Sequence, residues 1–190
     1  DIQTLSLELG YGLQEDNPST KKQTVNGQEQ SVLSWGPTEL EHRSVSLSHD
    51  GKWSFGDSKL TAYYNDYDQS QQTDSGPTTQ KSKETIVEGN MNIPFTLGVE
   101  HVATVGGQWK SEELVNTQNI GLSIPTYDGK AYGSELEGDT WALFVEDKII
   151  FNDKVNLTLG NRFDNHDKFG THNSPRAYLV IQPNDAWTVK

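Results

Sequence analysis

Apolar side chains alternate with polar ones along most of this chain. In the first segment Leu5, Leu7, Leu9 and Tyr11 fall at every second position, with threonine, serine, glutamate and glycine between them. A repeat of two residues places the apolar side chains on one face of a β-strand, whereas a helix would need a repeat of about 3.6 residues. The pattern therefore predicts strands with one apolar and one polar face.

The same alternation recurs down the chain and predicts eight strands and the start of a ninth. After the first strand, the predicted strands cover residues 40–49, 59–68, 87–93, 99–109, 140–151, 155–166 and 174–182, and the ninth begins at Trp187. The segments between them are alternately long and short. The long ones are predicted loops over 14–38, which has room for a short hairpin, and over 69–83, 111–139 and 167–173; the short ones are predicted turns at Asp50-Gly51 and over 94–98, 152–154 and 183–186.

Alternating long and short connections predict an up-and-down antiparallel sheet with its loops at one end and its turns at the other. Outer-membrane β-barrels have this layout, with long extracellular loops and short periplasmic turns, and strands of about ten residues cross the bilayer. A soluble β-sandwich or lipocalin-like barrel alternates in the same way. The pattern alone leaves both fold classes open.

Two features favour the membrane barrel. Aromatic residues lie near the ends of the apolar faces, as interfacial girdles require. They are Tyr11, Trp53, Trp109, Trp141, Phe163 and Trp187. The polar face carries charges, Glu8, Glu100, Arg162 and Arg176 among them. Buried charges are costly in a dry core but not in a hydrated lumen, so we predict that Glu100, Arg162 and Arg176 face a wet interior.

Composition excludes several classes of function. The 190 residues carry a formal net charge of -12, which argues against binding to nucleic acid, and they include no cysteine. No apolar run approaches the ~18 residues of a transmembrane helix, and no hydrolase, kinase or metalloprotease motif is present. We predict no enzyme activity, no catalytic residue and no cofactor. The cluster of Asp164, His166, Asp167 and His172 is interpreted as the polar rim of a strand pair rather than as a metal site.

Four segments carry a family resemblance. Residues 141–147 (WALFVED), 159–166 (LGNRFDNH), 174–180 (SPRAYLV) and 183–190 (PNDAWTVK) resemble barrel strands of TonB-dependent outer-membrane receptors. Residues 48–56 and 92–100 are similar to the short periplasmic turns of the same receptors. The most similar subgroup is that of the catecholate siderophore receptors, such as the ferric enterobactin and colicin I receptors.

The resemblance implies a location in the bacterial outer membrane and energy-coupled uptake of a ferric siderophore, which is cargo rather than cofactor. It also implies contact with the lipid bilayer and lipopolysaccharide, coupling of the full-length parent to the TonB complex, and use by bacteriocins or phage. The family combines a plug domain and a TonB box with a barrel of about 22 strands. We interpret residues 1–190 as one β-barrel region that contains neither plug nor box.

A ferric catecholate is a bulky aromatic anion, so its receptor needs aromatic and cationic side chains on the extracellular side. The candidates on the predicted loops are Trp35, Lys81, Lys83, Tyr127, Lys130, Tyr132 and Lys168, together with Lys21 and Lys22. Two other interpretations stay open at this point. One is a small closed barrel, natural or engineered, that serves as a structural or recognition scaffold without transport, and the other is a soluble lipocalin-like binder.

Overall fold

The computed structural model describes residues 1–73, 76–116, 124–125, 131–132, 135–184 and 186–189. For residues 19, 25, 32–35, 73, 124–125 and 131–132 it describes the backbone alone. No helix in these ranges is long and apolar enough to span a membrane.

The described chain folds into β-strands joined by turns. The strands are β1 (Ile2–Asp16), β2 (Ser19–Val25), β3 (Gln28–Trp35), β4 (Thr38–Trp53), β5 (Gly56–Thr73), β6 (Gly76–Leu97), β7 (Val99–Asn116), β8 (Ile124–Pro125), β9 (Ala131–Tyr132), β10 (Glu135–Asn152), β11 (Val155–His166), β12 (Gly170–Asn184) and β13 (Trp187–Val189). Nine of them form one sheet in the order β1-β4-β5-β6-β7-β10-β11-β12-β13, and β2-β3 and β8-β9 form separate two-stranded sheets. The predicted all-β fold is confirmed.

The main sheet is an antiparallel meander. When the two small hairpins are set aside, every strand pairs with the next one along the chain. The hairpin β2-β3 occupies the predicted long loop over 14–38, as the sequence allowed. In the described pairing β1 bonds to β4 and β13 bonds to β12, so the sheet has two free edges and these residues do not close a small barrel on their own.

Strand pairing sorts the side chains onto two faces of the sheet. Leu7 lies opposite Leu47, and Leu47 lies opposite Ala62, which in turn lies opposite Val87. The row continues through Trp109. We call this side of the sheet the apolar face and the opposite side, which carries the serines, glutamates and arginines, the polar face.

Burial is inverted relative to a soluble protein. Among the described hydrophobic residues only Ile86 and Ala142 are buried, and both lie on the polar face. Leu5 and Leu9 on the apolar face are each 71% exposed. A soluble sheet covers its apolar face with another layer, because exposed hydrocarbon is costly in water. An apolar face without a covering layer is the arrangement that a lipid solvent stabilises.

Two rows of aromatic side chains border the apolar face. The row toward the long loops contains Tyr11, Tyr64, Trp109, Trp141 and Phe163, and the row toward the tight turns contains Trp53, Phe55, Phe95 and Phe151. Trp141 and Phe163 are neighbours, with ring centroids 5.5 Å apart. On β7 the segment between the rows, from His101 to Trp109, matches the roughly 9–11 residues that a tilted strand needs to cross hydrocarbon. The rows are placed as interfacial girdles would be.

One of the predicted turns lies in the wrong place, and another is shorter than predicted. Asp50 and Gly51 are inside β4, and the strands β4 and β5 stay paired as far as Trp53 opposite Gly56. Trp53 Nε1 donates to Ser58 Oγ at 2.9 Å, which helps the hairpin continue beyond the Asp-Gly pair. The turn predicted over 94–98 is reduced to its last residue, because β6 extends to Leu97 and the chain reverses at Gly98, whose φ of +75° favours glycine.

The predicted long loops are shorter than expected where the structure describes them. The loop over 69–83 is mostly strand, since β5 extends to Thr73 and β6 begins at Gly76. Both ends of the predicted loop over 111–139 belong to strands, β7 and β10. The predicted loop over 167–173 is reduced to residues 167–169. The strands therefore continue well beyond the aromatic row that faces the loops.

Two pairs of polar side chains interrupt the apolar face. His101 Nδ1 lies 2.9 Å from Asp147 Oδ2, and the Phe95 ring stacks on His101 with centroids 4.8 Å apart. Asn161, which the sequence places on the predicted lipid face, donates from Nδ2 to Asn173 Oδ1 at 2.8 Å. In each case the polar group meets a second polar side chain on the neighbouring strand, which lowers the cost of facing hydrocarbon.

Candidate ligand-facing wall and its charged rim

A hydrogen-bonded bridge crosses the middle of the polar face. Arg162 Nη2 on β11 donates to Gln108 Oε1 on β7 at 3.4 Å, and Gln108 Nε2 donates to Glu88 Oε2 on β6 at 3.0 Å. Between them β10 presents Ala142, whose small buried side chain leaves room for Arg162 to pass over. Arg162 Nε also donates to Asp164 Oδ1 at 2.8 Å. The bridge connects side chains from β6, β7 and β11.

An aromatic ring lies beside this bridge. Phe144 is opposite Gly106 on one side and opposite Arg162 on the other. Its ring lies over Gly106, where a β-carbon would overlap it, and the Arg162 guanidinium carbon is 6.0 Å from the ring centroid. The absence of a side chain at Gly106 therefore lets an aromatic ring lie against the polar wall next to a cation.

A second bridge lies nearer the free edge formed by β12 and β13. Arg176 Nη2 on β12 donates to Glu146 Oε2 on β10. To reach it, the Arg176 side chain crosses β11 at Gly160, where a β-carbon would lie 3.2 Å from Arg176 Nε. Arg162 and Arg176 are thus both held across neighbouring strands, and both lie on the polar face, as does Glu100.

Beyond the Arg162 bridge, toward the loop end, the polar face carries a charged cluster around Lys110 and a stacked pair of rings. Lys110 Nζ lies 3.0 Å from Glu84 Oε2 and 2.8 Å from Glu112 Oε1, and Asn65 Nδ2 donates to Glu84 Oε1 at 3.4 Å. Farther along, the His42 and Tyr67 rings stack with centroids 4.2 Å apart and an angle of 3°. His42 Nε2 is shielded from solvent and makes no hydrogen bond to a described residue.

Beyond the aromatic row, the same strands carry a band of ion pairs on the apolar side of the sheet. It contains Glu41, Arg43, Asp66, Asp68, Lys81, Lys83 and Glu113, and we call it the outer ion-pair band. Lys81 Nζ is 2.7 Å from Asp68 Oδ2, and Lys83 Nζ is 3.2 Å from Glu113 Oε1. The hydrogen bond to Glu113 raises the pKa of Lys83 above its usual value. The band begins where the apolar alternation stops, so it marks the level at which the sheet meets water.

Reversing the charge of Lys83 tests this band. Lys83→Glu places a third carboxylate next to Asp66 and Glu113, which lie directly opposite it on the two neighbouring strands. We expect a lower free energy of unfolding, because like charges opposite each other in a sheet repel. Urea unfolding in micelles measures it. The exchange Lys83→Glu with Glu113→Lys should recover most of the loss, and an equal loss in the double variant would contradict the pairing.

The tip of the hairpin between β11 and β12 is a compact charged turn. Asp167 accepts a hydrogen bond from Lys168 Nζ at 2.9 Å and lies 2.9 Å from His166 Nδ1. The Lys168 hydrogen bond holds the pKa of Asp167 below its usual value, so its contribution is present at neutral pH and is lost as pH falls through that lowered pKa. Within the described ranges no three potential ligands are placed to hold a metal ion.

The predicted ligand-binding residues are not brought together in the described part of the chain. Lys81 and Lys83 lie within β6 and not in a loop, so the loop placement was wrong. Lys168 is at the hairpin tip, and Lys21 and Lys22 are on the exposed strand β2, where Lys22 pairs with Glu29 at 3.5 Å. The backbones of Trp35 and Tyr132 belong to β3 and β9, and Tyr127 and Lys130 lie outside the described residues. The role of all these residues in ligand binding stays a prediction.

Sequence reasoning did not single out Glu88, Gln108 and Phe144. Phe144 carried a readable signal, because an aromatic residue at a polar-face position breaks the alternation of its strand. Glu88 and Gln108 carried no such signal, since any polar residue fits the polar positions of an alternating pattern. Their importance depends on cross-strand distances that only the fold provides.

The family comparison covers almost the entire chain. Residues 2–190 match the family described as TonB dependent receptor-like, beta-barrel. The ferric enterobactin receptor of Pseudomonas aeruginosa is 29% identical over 99% of the chain, and a probable TonB-dependent siderophore receptor, PirA, of Acinetobacter baumannii is 27% identical over 100% of it. The chain spans 28% of the length of each of these two relatives.

Solved structures of receptors share the fold of this sheet. The siderophore receptor PirA from Acinetobacter baumannii matches 97% of the chain with a TM-score of 0.78 at 24% identity, and the match spans 30% of that receptor. A mutant ferric enterobactin receptor from Pseudomonas aeruginosa, solved in complex with enterobactin, matches 96% of the chain with a TM-score of 0.76 at 25% identity, spanning 29% of the receptor. The sheet thus has the geometry of part of a receptor barrel wall.

Proposed function

This chain belongs to the TonB-dependent receptor β-barrel family, and from that premise we propose that it forms part of the wall of a receptor that takes up a ferric siderophore across the bacterial outer membrane. The members of this family are receptors and not enzymes. They are located in the outer membrane, as the sequence predicted. The observation that carries the proposal is the inverted sheet, with an exposed apolar face between two aromatic rows and a hydrogen-bonded polar face behind it.

In the proposed receptor the two faces have different tasks. The apolar face seals against the lipid bilayer, and the outer ion-pair band lies at the level of the lipopolysaccharide headgroups. The polar face, with Glu100, Arg162 and Arg176, lines the lumen. Charges on the lumen side cost little because water hydrates them there, while the bridges between strands keep the wall rigid.

The proposed ligand is an iron complex of a catecholate siderophore, bound first at the extracellular side. Support comes from the relatives, which are named as ferric enterobactin and siderophore receptors. Trp35, Lys81, Lys83, Tyr127, Lys130, Tyr132 and Lys168 remain the candidates for that side. No chemical step is involved, so the wall contributes binding surface and scaffold, and energy comes from the TonB complex acting on the full-length protein. Bacteriocins and phage are further proposed partners of the same extracellular surface.

Uptake measurements test the proposal. The natural full-length protein containing this chain is expressed in a Gram-negative host that lacks its own catecholate receptors, and entry of radioactive iron bound to enterobactin is followed. We expect saturable uptake that disappears when TonB is deleted, and no uptake of iron bound to a hydroxamate siderophore. Uptake that continues unchanged without TonB, or no uptake of the catecholate complex at all, would falsify the proposed function.

A further inference from the structure

A diagonal line of polar side chains crosses the apolar face of the sheet. It contains His101 on β7, Asp147 on β10, Asn161 on β11 and Asn173 on β12, and we call it the polar track. Each member lies one strand farther along the sheet and one same-face position nearer the loop end than the member before it. The main chains of such diagonal neighbours are about 7–8 Å apart. Hydrogen-bonding contacts join the first two members and the last two.

The polar track reaches from one aromatic row to the other. Its first member, His101, is opposite Phe95 of the row toward the tight turns. Its last member, Asn173, is opposite Phe163 of the row toward the loops. On β7, β10 and β11 every other residue that faces this side between the rows is apolar or glycine. Polar groups are therefore present at successive levels through the part of the sheet that faces hydrocarbon in the proposed receptor.

The pairs within the polar track leave hydrogen-bonding groups unused. Asp147 Oδ1 is shielded from solvent and meets no donor among the described residues, although the Asp147 side chain is 36% exposed. Asn161 uses its Nδ2 and Asn173 its Oδ1, so one amide oxygen and one amide nitrogen have no partner in the described part of the chain. Such groups are costly against hydrocarbon. A carboxylate at this depth draws water and lipid head groups inward and thins the bilayer around it.

The molecules that meet this side of the sheet in the proposed receptor are phospholipids. The head group of phosphatidylethanolamine complements the polar track in charge, because its ammonium can donate to the Asp147 carboxylate and its phosphate can accept from the Asn173 amide. A track that links both aromatic rows offers such contacts at each stage between the two leaflets. An interface with a second protein would not need this continuity from row to row.

We propose that the polar track is a path along which phospholipid head groups cross between the two leaflets while their acyl chains stay in the hydrocarbon. The polar side chains and the water they attract replace part of the hydration that a head group loses in hydrocarbon, which lowers the barrier to crossing. The inference goes beyond siderophore uptake, and it rests on the proposed function only in placing the apolar face against lipid. The competing occupant is a second copy of the receptor, held through the same amides.

The test uses the natural full-length receptor that contains this chain, purified and reconstituted into vesicles of phosphatidylethanolamine and phosphatidylglycerol. The vesicles include a trace of phosphatidylethanolamine with a short fluorescent acyl chain, and albumin added outside extracts this label from the outer leaflet alone. The rate at which the remaining label becomes extractable measures crossing. Albumin is too large to pass through the barrel, so leakage through the lumen does not imitate crossing. Chemical cross-linking in the same vesicles reports a second copy.

Asp147→Leu and Asn161→Leu remove polar groups from the middle of the polar track, and Asn156→Leu is the matched control on the polar face of β11. We expect label to cross about tenfold faster with the unchanged receptor than in protein-free vesicles, and about fivefold slower with either track variant than with the unchanged receptor. Asn156→Leu should leave the rate unchanged, and Asn161→Gln, which keeps an amide, should retain it. Apolar side chains suit the lipid face, so both track variants should fold, which heat-dependent gel mobility checks.

The outcomes separate the occupants and the two proposals. Crossing no faster with the unchanged receptor than without protein overturns the inference, and so do track variants that keep the full rate. A cross-linked dimer that Asn161→Leu abolishes, in vesicles where no crossing occurs, makes the second copy the occupant and the inference wrong. Siderophore uptake is measured separately, and both track variants should import iron-loaded enterobactin as the unchanged receptor does. An unchanged receptor that moves lipid but imports no siderophore contradicts the proposed function alone.

Discussion

Leu47→Arg is expected to destabilise the folded protein by about 2–4 kcal/mol in lipid vesicles, the cost of a cation on the lipid face at the middle of a transmembrane barrel. Leu47 lies between Leu7 and Ala62 on the apolar face and is 46% exposed. On a soluble sheet with the same exposure the change would cost little, because surface substitutions usually stay within about 0.5 kcal/mol. Urea unfolding in vesicles measures the difference.

The neighbouring position provides the control. Ser46 points to the polar face, where it lies opposite Glu8 and Tyr63. Ser46→Arg should change the free energy of unfolding by less than about 1 kcal/mol, since the new cation meets water and a carboxylate. A larger loss at Ser46 than at Leu47 would reverse the assignment of the two faces, and with it the proposal that the polar face lines the lumen.

The faces themselves were predictable from sequence because the physical constraint acts on every second residue. Lipid on one side and water on the other impose alternation, and Val45 and Leu47 against Ser44 and Ser46 show it without any knowledge of pairing. The hairpin order followed from the alternation of long and short connections. Nearly all of the transmembrane part of the sheet was therefore readable.

The ends of the strands were not predictable, because this constraint acts only where one side of the sheet faces lipid. Beyond the aromatic row facing the loops both sides of the sheet meet water, so alternation ceases while hydrogen bonding between strands continues. Lys81 and Lys83 look like loop residues in the sequence, yet they pair across strands with Asp68 and Glu113. At Asp50-Gly51 the error has another cause. These two residues are a strong local turn signal, yet β4 continues through them and stays paired with β5 as far as Trp53.

The candidate site depends on contacts that have no local signature. Arg162 and Gln108 are 54 positions apart, and their contact requires both the order of β7, β10 and β11 and the small side chain of Ala142 between them. The sequence predicted that Arg162 faces a polar environment. It gave no means to choose its partner, because several polar-face residues were equally suitable until register was known.

Glycine placement underlies the second large effect that we expect. Gly106→Val should lower the free energy of unfolding by about 3 kcal/mol or more, and much of the protein should fail to reach the folded, heat-modifiable form. A β-carbon at position 106 would lie 2.6 Å from the Gly89 carbonyl oxygen and would overlap the Phe144 ring. The ring has a rotatable bond, but the carbonyl belongs to the neighbouring strand and can only move with it.

Gly12→Val is the matched control, because Gly12 also lies on the polar face and a β-carbon there meets no atom within 4 Å. Valine is favourable in a strand, so this variant should fold as well as the unchanged protein. Adding Phe144→Ala to Gly106→Val removes one of the two overlaps and should restore part of the stability. Full recovery of stability would mean that only the Phe144 ring excludes a side chain at position 106. No recovery would mean that the short distance between β6 and β7 excludes it.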